Sequence, residues 1–253
     1  MSDNGADPMR AAQAAVRPEP VRRFYRTVDV REGQGTHALV LDGRPARTPG
    51  RNALAAASRP LMLEVAEEWA RQGETLEPAD MPLTRLLNAA IDGVARRMEE
   101  TRAEIAAYAG SDLLCYRAEA PEALAERQRA AFDPVLDWAA ERFGARFRVA
   151  AGVMHVAQPP EAMDAIRAAL GAFDDPAALA ALAAITNLTG SAFIALAVAH
   201  GRLAAERAWR AACVDEDFQA ERWGQDADAT ARREARWCEM EAAATMLAAI
   251  NEG

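Results

Sequence analysis

The sequence predicts an α+β protein in which a small N-terminal mixed β domain is followed by a larger all-helical domain. Three observations lead to this prediction. Residues 24–58 alternate apolar and polar side chains between glycine-containing turns, a pattern typical of short strands. Beyond residue 60 the apolar residues recur at helical spacing. The 253 residues, 51% of them hydrophobic, are enough to bury the core of one large domain or two small ones.

The first predicted element is a β-hairpin. Residues 24–30 alternate at period two, and the alternation resumes at 37–41 after a turn at Gly33-Gln34-Gly35. Asp42-Gly43 is the next predicted turn, and a further short strand is predicted within 52–57. Together these segments predict a small sheet.

A helix is predicted to begin at Pro60, because proline is favoured in the first turn of a helix. Leu61, Val65 and Trp69 follow at intervals of four residues and share one face of this helix. The helix is expected to end near Gly73, where the composition becomes that of a linker. We therefore predict three regions: a disordered tail at 1–20, a β-rich domain at 21–77 and a helical domain at 78–253.

The helical domain is predicted to contain several helices and one short extended segment. The Asp133-Pro134 step predicts a kink or a break, since proline removes a helical hydrogen bond. The extended segment is placed at 146–156, and the helical segments are 83–109, 121–143, 160–173, 177–199 and a final pair of helices split at Trp223-Gly224.

Residues 177–199 carry no formal charge and are long enough to span a bilayer. Their centre is polar, with the sequence Thr186-Asn187-Leu188-Thr189-Gly190-Ser191, and alanine contributes little transfer free energy. These features favour a central helix or helix pair wrapped by other helices. We therefore predict no stable membrane insertion.

The charged residues and cysteines exclude several classes of function. A net charge of −9 argues against a nucleic-acid partner, and all 29 basic residues are arginines, which excludes a catalytic lysine. Cys115, Cys213 and Cys238 are odd in number and far apart, which indicates a reducing compartment. The cysteines and histidines lack the close spacing of zinc ligands. No metal and no cofactor are therefore predicted.

No complete catalytic motif is present. Two alternatives stay open: a small hydrolase or transferase that uses Cys115 or Ser191 with His155, and a passive scaffold that binds a ligand between the domains. Cys115 lies among apolar residues and is typical of a buried small side chain. Ser191 lies in alanine-rich helical sequence, where a hydroxyl more often caps a helix. We therefore predict no catalytic residue.

The segment 215–226 stands out as a candidate binding surface. Asp217 and Glu221 are four residues apart, so in a helix their like charges would share one face and repel. Trp223-Gly224 is typical of a helix C-terminus, with glycine in the left-handed conformation and the indole docked back. Two interpretations are open: a solvated acidic face with a packing tryptophan, and an acidic docking surface with an aromatic anchor.

Several short motifs occur in the order seen in a known protein family. They resemble the assembly chaperones that are specific for the alpha subunit of the ATP synthase catalytic head. Each motif is weak alone, but their order over residues 24–250 is specific. The motifs are Glu68-Trp69-Ala70-Arg71-Gln72, Met81-Pro82-Leu83-Thr84, residues 108–118, Arg127-Gln128, Phe132-Asp133-Pro134, Thr189-Gly190-Ser191 and residues 218–224.

The resemblance implies a non-enzymatic, two-domain chaperone. Mitochondrial members of the family begin with a targeting segment that this sequence lacks, so a bacterial, cytoplasmic member is expected. Such a protein is expected to act as a monomer that binds the newly made alpha subunit and prevents its aggregation until it pairs with beta. The partner-binding residues implied are Glu216, Glu221, Trp223 and Asp226. The other matched positions are expected to be structural, with Trp69 joining the β region to the helices and Asp112, Tyr116 and Arg117 forming an internal cluster. The matched positions expected to be structural are Trp69, Met81, Pro82, Thr84, Asp112, Tyr116, Arg117 and Gly224.

Overall fold

The computed structural model describes residues 21–33, 35–224 and 226–252, and the predicted tail at 1–20 lies outside these ranges. Within them the chain forms ten α-helices and six short strands. This arrangement confirms the predicted α+β class. Helices supply most of the ordered structure, and the larger of the two sheets is confined to the N-terminal part.

A small antiparallel sheet forms from the predicted hairpin and two shorter strands, but the first arm begins at Val28, so residues 24–27 of the predicted strand are not part of it. Val30 lies opposite Leu39 in the hairpin, and Leu39 is fully buried. The predicted strand within 52–57 forms over only two residues, which pair with the second strand of the hairpin. Gln34 of the predicted turn lies outside the described residues. The strands are β1 (Val28–Gly33), β2 (Thr36–Leu41), β3 (Arg44–Pro45) and β4 (Ala55–Ala56).

The first helix, α1 (Arg59–Arg71), packs against this sheet. Leu61 and Val65 are fully buried on the predicted face. Ser58 caps the helix by accepting a hydrogen bond from the Leu61 amide at 3.2 Å, and its hydroxyl donates to the Ala249 carbonyl at 2.6 Å. The start of α1 is therefore tied to the last helix of the chain.

The single helix predicted over 83–109 is wrong, because two helices occupy this region. They are α2 (Pro82–Asp92) and α3 (Met98–Ala109), separated by a short 3-10 turn. Asp92 ends α2 and accepts hydrogen bonds from Thr48 Oγ1, the Gly50 amide and Asn52 Nδ2, each at 2.7 Å. These bonds lower the pKa of Asp92, with the Thr48 hydroxyl as the largest cause. Helix α2 therefore ends at the residue whose carboxylate accepts hydrogen bonds from the loop between β3 and β4.

The next helix, α4 (Glu122–Phe143), continues through Pro134, so the predicted break does not occur. It is followed by α5 (Pro160–Gly171). Between them, the predicted extended segment forms a strand over only two residues, β6 (Ala150–Ala151), which pairs in parallel with β5 (Tyr116–Arg117).

The uncharged stretch forms the predicted buried helix pair, α6 (Pro176–Thr189) and α7 (Ala192–Ala199). Gly190 ends α6 with a φ of +69°, a conformation that glycine adopts without strain. Every residue of α7 is buried, and α6 packs against α2, α3 and the last helix. Among the described residues, no helix has both the length and the apolar character needed to cross a membrane.

The chain ends with α8 (Ala205–Ala212), α9 (Val214–Trp223) and α10 (Ala227–Asn251). The last two form the predicted pair split after Trp223. One hydrophobic cluster runs from Leu39 in the sheet to Met246 in α10. The division into domains at 21–77 and 78–253 stays a prediction.

Candidate functional site

The acidic segment forms helix α9, which packs against α4. Phe218 is the buried residue of this contact. The guanidinium of Arg127 in α4 lies 5.2 Å from the centre of its ring, and that of Arg222 lies 4.2 Å from it. Arg222 belongs to α9 itself, so the contact of Arg127 with the ring is the one that joins α9 to α4.

A second contact between α4 and α9 is polar. Gln128 is buried, donates from Nε2 to Asp215 at 2.7 Å, and accepts a hydrogen bond from the Ala118 amide at 2.7 Å. One amide side chain thus satisfies a carboxylate of α9 and the end of β5. Neither Gln128 nor Asp215 was predicted to have a role, although Gln128 lies in a family motif and Asp215 in the acidic segment.

The carboxylates that α9 exposes already have arginine partners. These partners offset the predicted repulsion between Asp217 and Glu221, because each negative charge faces a positive one. The side chains of Glu216 and Glu221 remain 49% and 56% exposed, so both carboxylates are accessible. The pairs are Glu216 with Arg236 at 3.0 Å, Asp217 with Arg233, and Glu221 with Arg127 at 2.8 Å.

Trp223 lies at the C-terminal end of α9 and is 78% exposed. The prediction that its indole docks back onto the protein is therefore wrong. Gly224 follows with a φ of +86° and a ψ of 172°, so it uses the positive φ that glycine tolerates but not the predicted left-handed helical conformation. Asp226 caps α10 by accepting hydrogen bonds from the amides of Asp228 at 3.4 Å and Ala229 at 3.3 Å. The four predicted partner-binding residues thus lie on α9 and at the adjoining start of α10.

A groove of about 680 Å³ lies beside this segment, between α4 and the helices α8 and α9. The groove was not among the features predicted from the sequence. A signal was present, since Arg207 and Arg210 flank the buried Trp209 and therefore had to face outward. The apolar lining is Ala130, Ala131, Pro134, Val135, Leu203, Ala211 and Val214, and the charged lining is Arg127, Arg202, Arg207, Arg210, Asp217 and Glu221.

Trp69 and Thr84 belong to a hydrogen-bonded junction between α1 and α2. Trp69 Nε1 donates to Thr84 Oγ1 at 3.1 Å, and the Thr84 hydroxyl donates to Glu68 at 2.7 Å. Glu68 also accepts from the amides of Leu83 at 2.7 Å and Thr84 at 2.8 Å, which satisfies the first turn of α2. Tyr25 donates to the Trp69 carbonyl at 2.6 Å and connects the start of the β region to this junction.

Two further motif residues lie at the same junction. Met81 is buried and directly precedes α2, and Pro82 is the first residue of that helix. A proline in this position has no amide hydrogen to leave unsatisfied. The motif therefore sets the start of α2.

Asp112 is completely buried beneath the start of α7. It accepts hydrogen bonds from the amides of Leu114 at 3.0 Å and Phe193 at 3.3 Å. Burial raises the pKa of Asp112 to about 7, although these hydrogen bonds act in the opposite direction. This carboxyl therefore joins the segment before β5 to the buried helix α7.

Arg117 and Tyr116 bond to other partners, so the single cluster predicted for Asp112, Tyr116 and Arg117 is wrong. Arg117 is buried, donates to the Leu114 carbonyl at 2.6 Å and forms an ion pair with Asp133. The Tyr116 hydroxyl lies 3.4 Å from Nδ1 of His155. The three side chains belong to one segment, but each contacts a different part of the protein: Asp112 binds the Phe193 amide, Arg117 pairs with Asp133, and Tyr116 lies near His155.

The residues of the hydrolase alternative are not brought together. Cys115 is completely buried, and burial raises the pKa of its thiol to about 12. The Ser191 hydroxyl caps α7 by accepting from the Ile194 amide at 3.0 Å. His155 is exposed, and within the described ranges no hydrogen bond joins it to Cys115 or Ser191. The arrangement offers no activated nucleophile from these residues.

The three cysteines are expected to react very differently with an aromatic disulfide reagent. Cys238 is exposed, whereas Cys115 and Cys213 are buried, with thiol pKa values raised by burial to about 12 and about 11. The native protein should release one equivalent of reporter thiolate rapidly, and the denatured protein three. A Cys238→Ala variant should lose the fast phase. Rapid native-state modification of Cys115 would restore the catalytic alternative.

A second groove, of about 600 Å³, lies between α1 and α10. Its lining includes the carboxylates of Glu64, Glu68, Glu77, Asp80 and Glu241. The scaffold hypothesis stays a prediction, because nothing in the lining identifies a ligand. Across the part of the chain that the structure describes, no group of three or more histidine, cysteine or carboxylate side chains could hold a metal ion.

Comparison with known proteins gives consistent results. The family model described as ATP12 chaperone protein matches residues 22–140. The crystal structure of Atp12 from Paracoccus denitrificans is 40% identical, with a TM-score of 0.84, and the match covers 90% of this chain and 98% of that one. A point mutant of P. denitrificans Atp12p gives the same identity and TM-score and covers 90% and 97%. A proposed chaperone from Agrobacterium tumefaciens is 45% identical, with a TM-score of 0.89, and covers 98% and 92%.

The shared fold and the family match define the class of this protein, which is a chaperone. Identity of 40% over almost the full length of a solved relative is sufficient to assign this chain to the same family. The chain belongs to the ATP12 chaperone family, which confirms the resemblance found in its motifs.

Proposed function

We propose that this protein binds the unassembled alpha subunit of the ATP synthase catalytic head and keeps it from aggregating until it pairs with beta. Membership of the ATP12 chaperone family supports this function. Alpha and beta alternate in a ring, so an unpaired alpha subunit exposes large interface surfaces that self-associate. A chaperone must cover such a surface and later leave it. A contact of standard size, roughly 1,200 to 2,000 Å² in total, meets both needs.

The proposed location of the partner site rests on one observation: Trp223 is a large aromatic side chain that is 78% exposed. Tryptophan is enriched among the residues that dominate binding energy at protein interfaces. Around it, Glu216, Glu221 and Asp226 supply accessible carboxylates that would orient the partner electrostatically. We place the contact with the alpha subunit on these four residues.

Replacing Trp223 by alanine is expected to weaken the complex with isolated alpha subunit at least tenfold and to reduce suppression of alpha aggregation. The change should leave the thermal midpoint almost unaltered, because the indole makes few contacts within the chain. Val153→Ala is the matched control, since Val153 is 97% exposed but lies on the loop before α5. Titration calorimetry measures both variants. Absence of any complex with the wild-type protein would refute the function, and equal affinity of the two variants would refute the site.

Glu221→Arg, combined with Asp226→Arg if needed, is expected to weaken the alpha complex and make it less sensitive to salt. Loss of the exposed pair with Arg127 should cost less than about 1 kcal/mol of folding stability. The double variant Arg127→Glu with Glu221→Arg restores an internal pair in reversed order. If Glu221 contacts the partner, this swap should not restore affinity. Full recovery in the swap would assign Glu221 to positioning α9 instead.

We also propose that the protein is a cytoplasmic monomer with two domains divided after residue 77. Its three cysteines are all free, which supports a reducing compartment. No catalytic step is part of this function. Light scattering of the purified protein across a concentration series tests the monomer directly.

A further inference from the structure

Three arginines at the groove between α4 and α8 have no carboxylate partner within the described ranges. Four arginines and two carboxylates line the groove. Both carboxylates are already paired, Glu221 with Arg127 and Asp217 with Arg233. The remaining arginines are Arg202, Arg207 and Arg210, all exposed. A chain with a net charge of −9 thus concentrates unpaired positive charge at one apolar groove.

The apolar lining of the groove suits a helix as its occupant. On α4 it consists of Ala130, Ala131, Pro134 and Val135, whose spacing places them on one face of the helix. Small side chains on such a face allow another helix to approach closely. Pro134 has no amide hydrogen, so the Ala130 carbonyl lacks its usual helical donor. Ala130 and Pro134 are both exposed and both line the groove.

We propose that this groove binds an acidic amphipathic helix of the partner protein. The apolar face of that helix would lie against α4, and its carboxylates would face Arg202, Arg207 and Arg210. Binding of a helix through one apolar face in a groove is a recurrent mode of peptide recognition, and arginine pairs well with carboxylates. The inference rests on the proposed function, since it takes the partner to be the alpha subunit and assigns a second part of the contact.

A nucleotide is the competing occupant, because its phosphates would also pair with arginine. Among the described residues, the lining contains no glycine, no hydroxyl group and no aromatic ring. Phosphate sites in proteins generally offer a glycine-rich loop or a run of backbone amides, and bases are held by stacking or by polar groups. The groove therefore fits a carboxylate-bearing apolar helix better than a nucleotide.

The test compares two triple variants with the same change in charge. The groove variant is Arg202→Glu, Arg207→Glu and Arg210→Glu. Its control carries glutamate at three exposed arginines elsewhere that also have no ion-pair partner within the described ranges. The control positions are Arg44, Arg59 and Arg96.

Three probes are titrated against each protein at low and high salt. They are a fluorescent amphipathic peptide with a leucine face flanked by glutamates, the same peptide with arginines in place of the glutamates, and MgATP. The acidic peptide should bind the wild-type and control proteins, weaken with salt, and bind the groove variant at least tenfold more weakly. No binding of the acidic peptide, or equal binding to both triple variants, would overturn the proposal. Saturable MgATP binding that the groove variant loses would overturn it in favour of a nucleotide site.

A second pair of variants leaves charge unchanged. Ala130→Trp should fill the groove and weaken binding of the acidic peptide. Ala123→Trp, at an exposed position of α4 outside the groove lining, should not.

Binding of isolated alpha subunit to the same variants separates this proposal from the function on which it rests. If alpha binds every groove variant as well as its control, the groove has no part in the complex and the proposal fails alone. If alpha does not bind at all but the acidic peptide does, the proposed function fails and the groove site stands.

Discussion

Replacing Asp112 by alanine is expected to lower the free energy of unfolding by about 3 kcal/mol, because it leaves two buried amide donors without an acceptor. These donors are the amides of Leu114 and Phe193, at 3.0 and 3.3 Å from the carboxylate. In a protein of this size such a loss lowers the thermal midpoint by about 6 to 12 °C. Chemical denaturation and differential scanning calorimetry measure it.

Asp137→Ala is the matched control for this substitution. Asp137 is exposed, so its removal should change stability by less than about 0.5 kcal/mol. An effect of Asp112→Ala no larger than that of the control would contradict the role assigned to the buried carboxyl. Reduced binding of alpha at a temperature where the variant is folded would show that Asp112 affects the surface as well.

Asp112 should also give the protein a distinctive pH dependence. Its pKa is raised from 3.8 to about 7 in the folded state, so the folded protein binds the proton more tightly than the unfolded chain. Stability from this group is fully present below about pH 4 and is lost as the pH rises through about 7. As the pH rises from about 4 through about 7, the wild type should therefore lose stability relative to the Asp112→Asn variant. A constant difference would contradict the raised pKa.

The second large effect is expected at the junction between α1 and α2. Glu68→Ala removes the acceptor for the amides of Leu83 and Thr84 and for the Thr84 hydroxyl, all in the first turn of α2. Unsatisfied buried donors and loss of a helix cap together predict a destabilisation of about 2 to 3 kcal/mol. Urea denaturation followed by tryptophan fluorescence measures it, since Trp69 lies at the same junction.

Glu67→Ala provides the control on the same helix. Glu67 is exposed, and its one ion pair among the described residues is with Arg71, so the substitution should cost less than about 1 kcal/mol. Thr84→Val keeps the shape of the side chain but removes its hydroxyl, and should give an intermediate loss. Equal stability of the Glu68 and Glu67 variants would show that the junction does not hold α2 in place.

The periodicity of the sequence was sufficient to predict the fold class, the hairpin, helix α1 and the buried pair α6 and α7. Strand and helix periodicity reflect which side chains of a segment face the core, and this information is local. The prediction of one helix over 83–109 was wrong because it passed over the turn signal Asp92-Gly93: α2 ends at Asp92, with Gly93 as its C-terminal cap. The bonds that hold Asp92 come from Thr48 and Asn52, 44 and 40 residues earlier in the chain, and no local pattern reports them.

The sequence by itself determined the family, the acidic segment and the glycine after Trp223, because these depend on which residues follow one another. Only the tertiary structure decided that Trp223 projects from the protein and that Glu216 and Glu221 face arginines of α10 and α4. It also decided that an apolar groove is bordered by three arginines with no ion-pair partner among the described residues. The physical reason is that the interaction between two charges, or between an apolar face and its surroundings, depends on distance in space. That distance is set by how the helices pack, and the order of residues along a single helix does not contain it.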